Sequence, residues 1–363
     1  MIYILEKGSK FADLPAKSPD IDAVYEVHAG KFRRYHGQRW FQRALDVPTI
    51  YKNSRDGLRV LAGLRDARRI LKKEKPDAIF IKGGFVGVPV GLAASRLDIP
   101  FITHDSDSVP GLANRIIAKW ATLHATGMPA EFYDYPKDKT VFVGIPLRPE
   151  FQPLTPALRQ KYHDDLGLES GARVVTIIGG SQGAQGLNKA MLAVAAPLMT
   201  EDPNLVFLHI TGEANEEAMK RAYRDVLSPA QRHRAVVKGY INDIYRYSGA
   251  ADVIVTRAGA TNTAEFAAQR QACIVVPGAL AGGHQNKNAE HMAASGAVET
   301  LTEKEAQNPA TLGGLIHDLL NDSGRRATLG RNLARLGKPD AALALAQLLL
   351  DNFDTAATGE GRG

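Results

Sequence analysis

At 363 residues the chain exceeds the size at which one hydrophobic core keeps growing, so two domains are expected, and 44% hydrophobic residues supply ample core for both. No apolar run approaches the roughly 18 to 20 residues of a membrane span, no secretory pattern opens the chain, and the single cysteine, Cys273, excludes disulfides and thiolate metal clusters and fits a reducing compartment. The net charge of +6 is uneven: 24 Lys and Arg stand against 17 Asp and Glu over residues 1–150, and the remainder is close to neutral.

Strand and helix patterns alternate throughout. Short apolar runs predict strands at 2–6, 23–27, 78–82, 100–103, 124–127 and 140–143, with helices near 57–74, 88–97 and 111–121. Residues 31–75 hold 14 Lys and Arg against 4 Asp and Glu, opening with Lys31, Arg33, Arg34, Arg39, Trp40, Phe41 and Arg43. Basic residues interleaved with aromatics suit an anionic bilayer or a nucleic acid, whereas the charged helix 57–75 reads equally well as a solvated face. Exposed Trp and Phe beside arginines gain nothing from water, which favours a partner surface at 31–43. The segment GIPLRPEFQPLTPA, 144–157, carries four prolines that stiffen it and block a helix, so the interdomain linker is placed there. Beyond it, strands are predicted at 173–178, 205–210, 234–238, 252–256, 272–276 and 297–301, separated by helical stretches. Such alternation builds doubly wound parallel sheets, an α/β class. A last helix at 339–353 follows a Pro-Asp pair, and the Gly/Thr-rich tail 354–363 is expected to be disordered.

Three stretches carry site chemistry. In TRAGATNTAEFAAQRQACIVVPGALAGGHQNKNA, 256–289, Gly259 permits a tight strand-to-helix turn and Ala260, Thr261, Asn262 and Thr263 open a helix. Its unpaired amides and dipole suit a diphosphate, and Glu265 in its first turns suits ribose hydroxyls. After the next strand, Gly282 and Gly283 free a loop, and His284, Gln285 and Asn288 share one face of the following helix. Taken singly, Glu265 reads as a solvated helix residue and HQNKN as a polar helix start; together they converge on one nucleotide. The third stretch, VVTIIGGSQGAQGLN at 174–188, ends a buried strand in Gly179 and Gly180 and leads through Ser181, Gln182 and Gly183 into a helix, the geometry of an anion loop. Its spacing matches neither GxGxxG nor GxxxxGK[ST], which counts against a nicotinamide site and a P-loop.

In order, KGGFVGVPVGLAA (82–94), ITHDSDSVPGLANRIIAKWA (102–121), VGIPLRPEF (143–151), GGSQGAQGLN (179–188), GYINDIYRYSGAADVIVTRAGATNTAE (239–265) and GGHQNKNAEHMAASGA (282–297) resemble the MurG family of peptidoglycan N-acetylglucosaminyltransferases. The resemblance implies a GT-B fold, two Rossmann-like domains facing a cleft: an acceptor and membrane-facing domain over 1–148, a UDP-GlcNAc domain over 149–338, and a helix 339–353 returning to the first. It implies inverting transfer of GlcNAc from UDP-GlcNAc to the C4 hydroxyl of undecaprenyl-diphosphate-MurNAc-pentapeptide, on the cytoplasmic face of the bacterial membrane. Anionic lipid would be met by the basic region Lys31 to Lys75, with no nucleic acid partner, no cofactor beyond the donor and no required metal. Arg148, Ser181 and Gln182 would meet the diphosphate, Ile241 the uracil, Ala260 to Thr263 a phosphate, Glu265 the ribose, and His284, Gln285 and Asn288 the sugar. Transfer to another lipid, a UDP-GlcNAc 2-epimerase, and a truncated UDP-sugar-binding subunit without activity are the alternatives.

Two departures from that family bear on catalysis. The opening MIYILEKGSKFADLP resembles the family's second strand, implying that the first strand, a GGTGGH loop and the first helix are missing from this chain. Where relatives usually read HEQN, this chain has His104, Asp105, Ser106 and Asp107. Asp105, Asp107 and His104 are the candidate catalytic residues, with Asp105 or Asp107 helping to deprotonate the acceptor hydroxyl. Asp107 also suits the cap of a helix starting near Val109.

Overall fold

The structure, a computed structural model, describes residues 1–9, 12–30, 47–180, 183–278 and 284–353, with backbone alone at 14 and 47–55. The basic and aromatic stretch 31–43, Ser181, Gln182, Gly282, Gly283 and the tail 354–363 lie outside the described residues. Packing divides the chain into two compact units: residues 1–144 with 342–363, and residues 145–341.

The first unit is built of parallel strands. β1 (Ile2–Glu6) pairs with β2 (Ala23–Val27) in a sheet of their own, in register from Ile2 opposite Ala23 to Glu6 opposite Val27. After helix α1 (Val47–Glu74) come β3 (Ile79–Ile81), α2 (Gly87–Ser95), β4 (Phe101–Asp105), α3 (Leu112–Ile117), β5 (Leu123–Thr126) and β6 (Thr140–Phe142), whose strands form a second sheet in sequence order. Val27, Leu71, Ile81, Phe101 and Ile117 form one buried cluster, so α1, α2 and α3 cover an apolar face common to both sheets. On the second sheet, Ile102, Ala125 and Val143 bury Leu345 of the C-terminal helix. α1 starts ten residues earlier than the charge pattern suggests. Pro48 is tolerated in a first turn, where its missing N–H would be unpaired anyway, and packing carries the helix through Gly57. α3 ends early, at Ile117, and a single 3-10 turn completes the segment to Trp120.

The second unit opens with α4 (Pro156–Asp165), where Thr155 accepts from the Leu158 amide at 3.1 Å and Pro156 occupies the first turn. The elements that follow are β7 (Arg173–Ile178), α5 (Gln185–Glu201), β8 (Leu205–Ile210), α6 (Glu216–Val226), β9 (Ala235–Lys238), α7 (Ile244–Ala250), β10 (Val253–Thr256), α8 (Ala260–Ala268), β11 (Cys273–Val275), α9 (His284–Ala294) and β12 (Glu299–Thr300). α10 (Glu303–Ala306), α11 (Pro309–Asn321), α12 (Ser323–Leu336) and α13 (Ala341–Phe353) complete the chain. All six strands pair parallel in the order β12-β11-β10-β7-β8-β9. Each face is covered by its own apolar cluster, which explains why β8, LVFLHI, is apolar at nearly every position and buried at all six.

That strand order reverses between β7 and β10, so the helices leaving these two strands lie on opposite faces and a crevice opens between them. Ile178 and Thr256, the last residues of the two strands, sit opposite each other, and the Thr256 hydroxyl donates to the Ile178 carbonyl at 2.8 Å. The turns after them therefore leave the sheet side by side.

Candidate active site

A concavity of about 230 Å³ opens at these strand ends, and Arg148, Gly180, Tyr240, Ile241, Asn262 and Glu265 are among its lining residues. The turn below it depends on glycine. Gly180 and Gly183 have φ of 93° and 73°, and a Cβ on Gly183 would run into the Thr211 carbonyl oxygen. α8 begins at Gly259, whose extended backbone caps the helix with no side-chain acceptor. The Thr263 amide already donates to the Gly259 carbonyl, so the first-turn amides of Ala260, Thr261 and Asn262 are the ones that helix geometry leaves without a partner inside the helix. Glu265 follows one turn later, half-buried. Burial pushes its carboxyl up to about 7, against the pull of the Arg148 guanidinium. Arg148 is held by a 2.9 Å hydrogen bond to the Asn242 carbonyl and by the rings of Phe151 and Tyr245, 5.5 and 5.8 Å from its guanidinium carbon.

The segment after β11 is tied down from below. Arg257 donates to the Val276 and Pro277 carbonyls at 3.1 and 3.2 Å and to Glu303 at 2.7 Å. The Gly278 amide donates to Gln285 Oε1 at 2.8 Å. Among the described residues His284 Nδ1 is buried without a hydrogen-bond partner.

In the first unit the polar residues cluster at the carboxyl end of β4. His104 is wholly buried, its Nε2 2.8 Å from the Gly144 carbonyl, and burial lowers its pKa and keeps it neutral. Asp105 is buried as well; Oδ1 accepts from the Gly111 amide and Oδ2 from the Tyr135 hydroxyl, each at 2.8 Å. Burial raises its pKa, and the two donors pull it back. Asp107 lies in the loop above, half-buried, and its carbonyl accepts from the Tyr133 hydroxyl at 2.8 Å.

Family models for the glycosyltransferase family 28 N-terminal and C-terminal domains match residues 10–126 and 174–345. A UDP-N-acetylglucosamine--N-acetylmuramyl-(pentapeptide) pyrophosphoryl-undecaprenol N-acetylglucosamine transferase of Halothermothrix orenii is 32% identical over 294 residues, 80% of this chain and 78% of that protein. The chain belongs to the MurG family. Its GT-B fold is also that of Acinetobacter baumannii MurG, with a TM-score of 0.69 at 23% identity over 96% of this chain and 90% of the other. The fold alone does not separate chemistries: a Neisseria meningitidis UDP-GlcNAc 2-epimerase bound to UDP-GlcNAc aligns at a TM-score of 0.56 and 14% identity over 81% of each chain.

Against the MurG motif run, the structure gathers Arg148, Ile241, Asn262 and Glu265 around one concavity. It redirects several other residues. Thr263 turns its hydroxyl back to the Gly259 and Ala260 carbonyls and has spent its amide, so it presents neither to a phosphate. Asn288 is fully buried and donates to the Ala258 carbonyl at 3.0 Å, which makes it a tie between α9 and the turn before α8, not a reader of sugar hydroxyls. His104 has its ring locked inside the sheet layer and Asp105 has both oxygens bonded, so neither is poised to take a substrate proton. Asp107 is not the cap residue of α3, which starts at Leu112 with Gly111 in that position. Sequence reasoning overlooked Tyr240 and Asn242, although both stand in the quoted GYINDI run, and it overlooked Arg257, Tyr133 and Tyr135. The TRAGAT motif contains Arg257; nothing local marks the two tyrosines.

Proposed function

We propose that the chain transfers GlcNAc, with inversion, from UDP-GlcNAc to the C4 hydroxyl of undecaprenyl-diphosphate-linked MurNAc-pentapeptide. The observation that carries this reading is the crevice between β7 and β10. It offers an arginine, a carboxylate and a row of helix-start amides, in a chain 32% identical to transferases of that name. Uracil would bind the backbone at Ile241, and the ribose hydroxyls would donate to Glu265. The diphosphate would meet the amides of Ala260, Thr261 and Asn262, the residues Ser181 and Gln182, and two N–H groups of Arg148. Gln285 spends its oxygen on Gly278 and keeps its NH2 group as a donor to the sugar, beside His284. As the C–O bond to UDP breaks, charge gathers on the diphosphate, and aimed amides with a guanidinium stabilise that charge more than the ground state. The reading is metal-independent, since these groups supply the positive field.

Asp107 is assigned the removal of the acceptor proton. It stands at the carboxyl edge of a parallel sheet and is half-buried, whereas Asp105 is buried with both carboxylate oxygens bonded. The protein is proposed to work as a peripheral enzyme on the cytoplasmic face of the membrane. No helix among the described residues is long and apolar enough to cross a bilayer. α1 exposes Leu58 and Leu61 among Arg59, Arg65, Arg68 and Lys72, and Trp120 lies exposed with the Lys119 ammonium 4.1 Å from its ring centre; both are apolar and basic groupings of the kind suited to anionic lipid. Incubation with UDP-GlcNAc and a lipid I analogue, with and without EDTA, tests the proposal. Equal lipid II formation in both is expected; UDP-ManNAc as the product, or no lipid-linked disaccharide, overturns it.

A further inference from the structure

We propose that Tyr133 and Tyr135 are positioning residues that hold the β4–α3 loop so that Asp107 meets the acceptor hydroxyl, an inference that rests on the assignment of Asp107 above. The loop, residues 106–111, is held at its start by two phenol hydroxyls from one distant segment and at its end through the Asp105 carboxylate. Tyr135 donates to Asp105 Oδ2 at 2.8 Å, and Asp105 Oδ1 takes the Gly111 amide at 2.8 Å, so one carboxylate bridges the incoming tyrosine and the start of α3. Tyr133 donates to the Asp107 carbonyl at 2.8 Å and lies 3.4 Å from the Asp105 carbonyl. The Asp105 carbonyl is in turn held by the Gly127 amide at 2.7 Å, which ties the end of β4 to β5.

The tyrosines have a rigid seat. The Tyr135 ring stacks on His124 with centroids 3.9 Å apart and planes 9° from parallel, and His124 Nδ1 is 2.8 Å from the Thr103 hydroxyl inside the sheet. Burial lowers the His124 pKa to about 4, so the stack stays uncharged at neutral pH. The Tyr133 ring lies parallel to that of Tyr135, 6.1 Å away. Burial raises both phenol pKa values, which keeps the hydroxyls protonated and donating throughout the working range. The geometry thus separates two roles: the rings fill the fold, and the hydroxyls alone reach the loop. A loop that must deliver a carboxylate to within hydrogen-bond reach of a hydroxyl gains rate from being held in place.

Phenylalanine at either position keeps the ring and deletes the donor. In the full chain, assayed with UDP-GlcNAc and a lipid I analogue, Tyr133→Phe and Tyr135→Phe are each expected to lower kcat about tenfold, the effect of one lost hydrogen bond in the transition state. KM for UDP-GlcNAc should stay within twofold. Because Tyr133 acts through Asp107, Tyr133→Phe should slow Asp107→Asn no further, whereas a merely structural role would multiply the two losses. Hydrogen exchange over residues 104–112 should quicken in both Phe variants, and this measurement decides if Asp107→Asn is too slow to assay. Parental kcat in both Phe variants, multiplied losses, or unchanged exchange overturns the clamp and leaves the base assignment standing. Parental kcat in Asp107→Asn overturns the base assignment itself, and the clamp's purpose with it.

Discussion

At the carboxyl ends of β7 and β10 the polar groups are helix-start amides and two charged side chains turned toward an open concavity; at the carboxyl end of β4 they are side chains turned toward one another. Both are parallel-sheet edges of the kind that collect ligands, yet they use their polarity differently. The second unit keeps its amides unspent by capping α8 with Gly259, which has no side chain to satisfy them. The first unit spends most of its buried polarity internally: Asp105 accepts from Tyr135 and the Gly111 amide, Tyr133 donates to the Asp107 carbonyl, and Asn114 donates to the His104 carbonyl at 2.9 Å, which leaves His104 Nδ1 and Asn114 Oδ1 without a partner among the described residues. A site that binds a nucleotide by main-chain groups needs donors left open, and a site that delivers one proton acceptor needs a loop that does not move.

The largest test of this contrast is Asp107→Asn. If the loop exists to present a base, kcat should fall by about 10² to 10⁴ while UDP-GlcNAc binding, measured by calorimetry, is unchanged. A loss of binding with intact turnover would reverse the assigned roles of the two edges. Next comes Glu265→Gln, which should weaken UDP-GlcNAc about tenfold or more by removing a charged acceptor for the ribose.

The same residue sharpens the contrast through pH. With its carboxyl at about 7, ionised Glu265 is a minority species at pH 6 and the majority at pH 8, so donor affinity should rise about tenfold between them in the parent and stay flat in Glu265→Gln. Stability runs the opposite way. The folded protein holds this proton more tightly than the unfolded chain, so the stability linked to it is present below pH 4.5 and is lost as pH rises toward and through 7. Denaturant midpoints that show no difference in slope between parent and Glu265→Gln over that window would contradict a buried carboxyl.

Gly183→Ala tests whether the second unit's turn is as constrained as its geometry says. A side chain at φ of 73°, running into the Thr211 carbonyl, should cost about 1 to 3 kcal/mol and lower the thermal midpoint of that unit by several degrees, with donor affinity falling too. The smallest effect belongs to Thr155→Ala, which removes the α4 cap. About 1 kcal/mol of stability should go, with kcat and KM unchanged.

Much of the architecture could be read along the chain because parallel strands buried on both faces are short apolar runs. IYILE, RVVTII and LVFLHI were legible at their observed bounds. The α8 start and Glu265 were legible for a related reason: a strand end, a glycine and a helix start are contiguous, and their chemistry follows from local geometry. Spacing along a helix does not give the direction in which a side chain points. Asn288 shares a helix face with His284 and Gln285, but the periodicity of α9 does not say that this face turns inward at Asn288 to meet Ala258. Asp107 suits the cap of a helix starting near Val109, and the helix instead starts at Leu112, with the Asp105 carboxylate taking the Gly111 amide.

By itself the sequence determined the α/β class, the family and the glycine turns at which nucleotide binding is proposed, since each rests on neighbours along the chain whose conformations are locally favoured. Only the tertiary structure decided which polar side chains face a ligand and which face each other. The Tyr135 to Asp105 and Tyr133 to Asp107 hydrogen bonds span 30 and 26 residues, and the order of strands in a sheet, which brings such partners together, leaves no periodic mark between them.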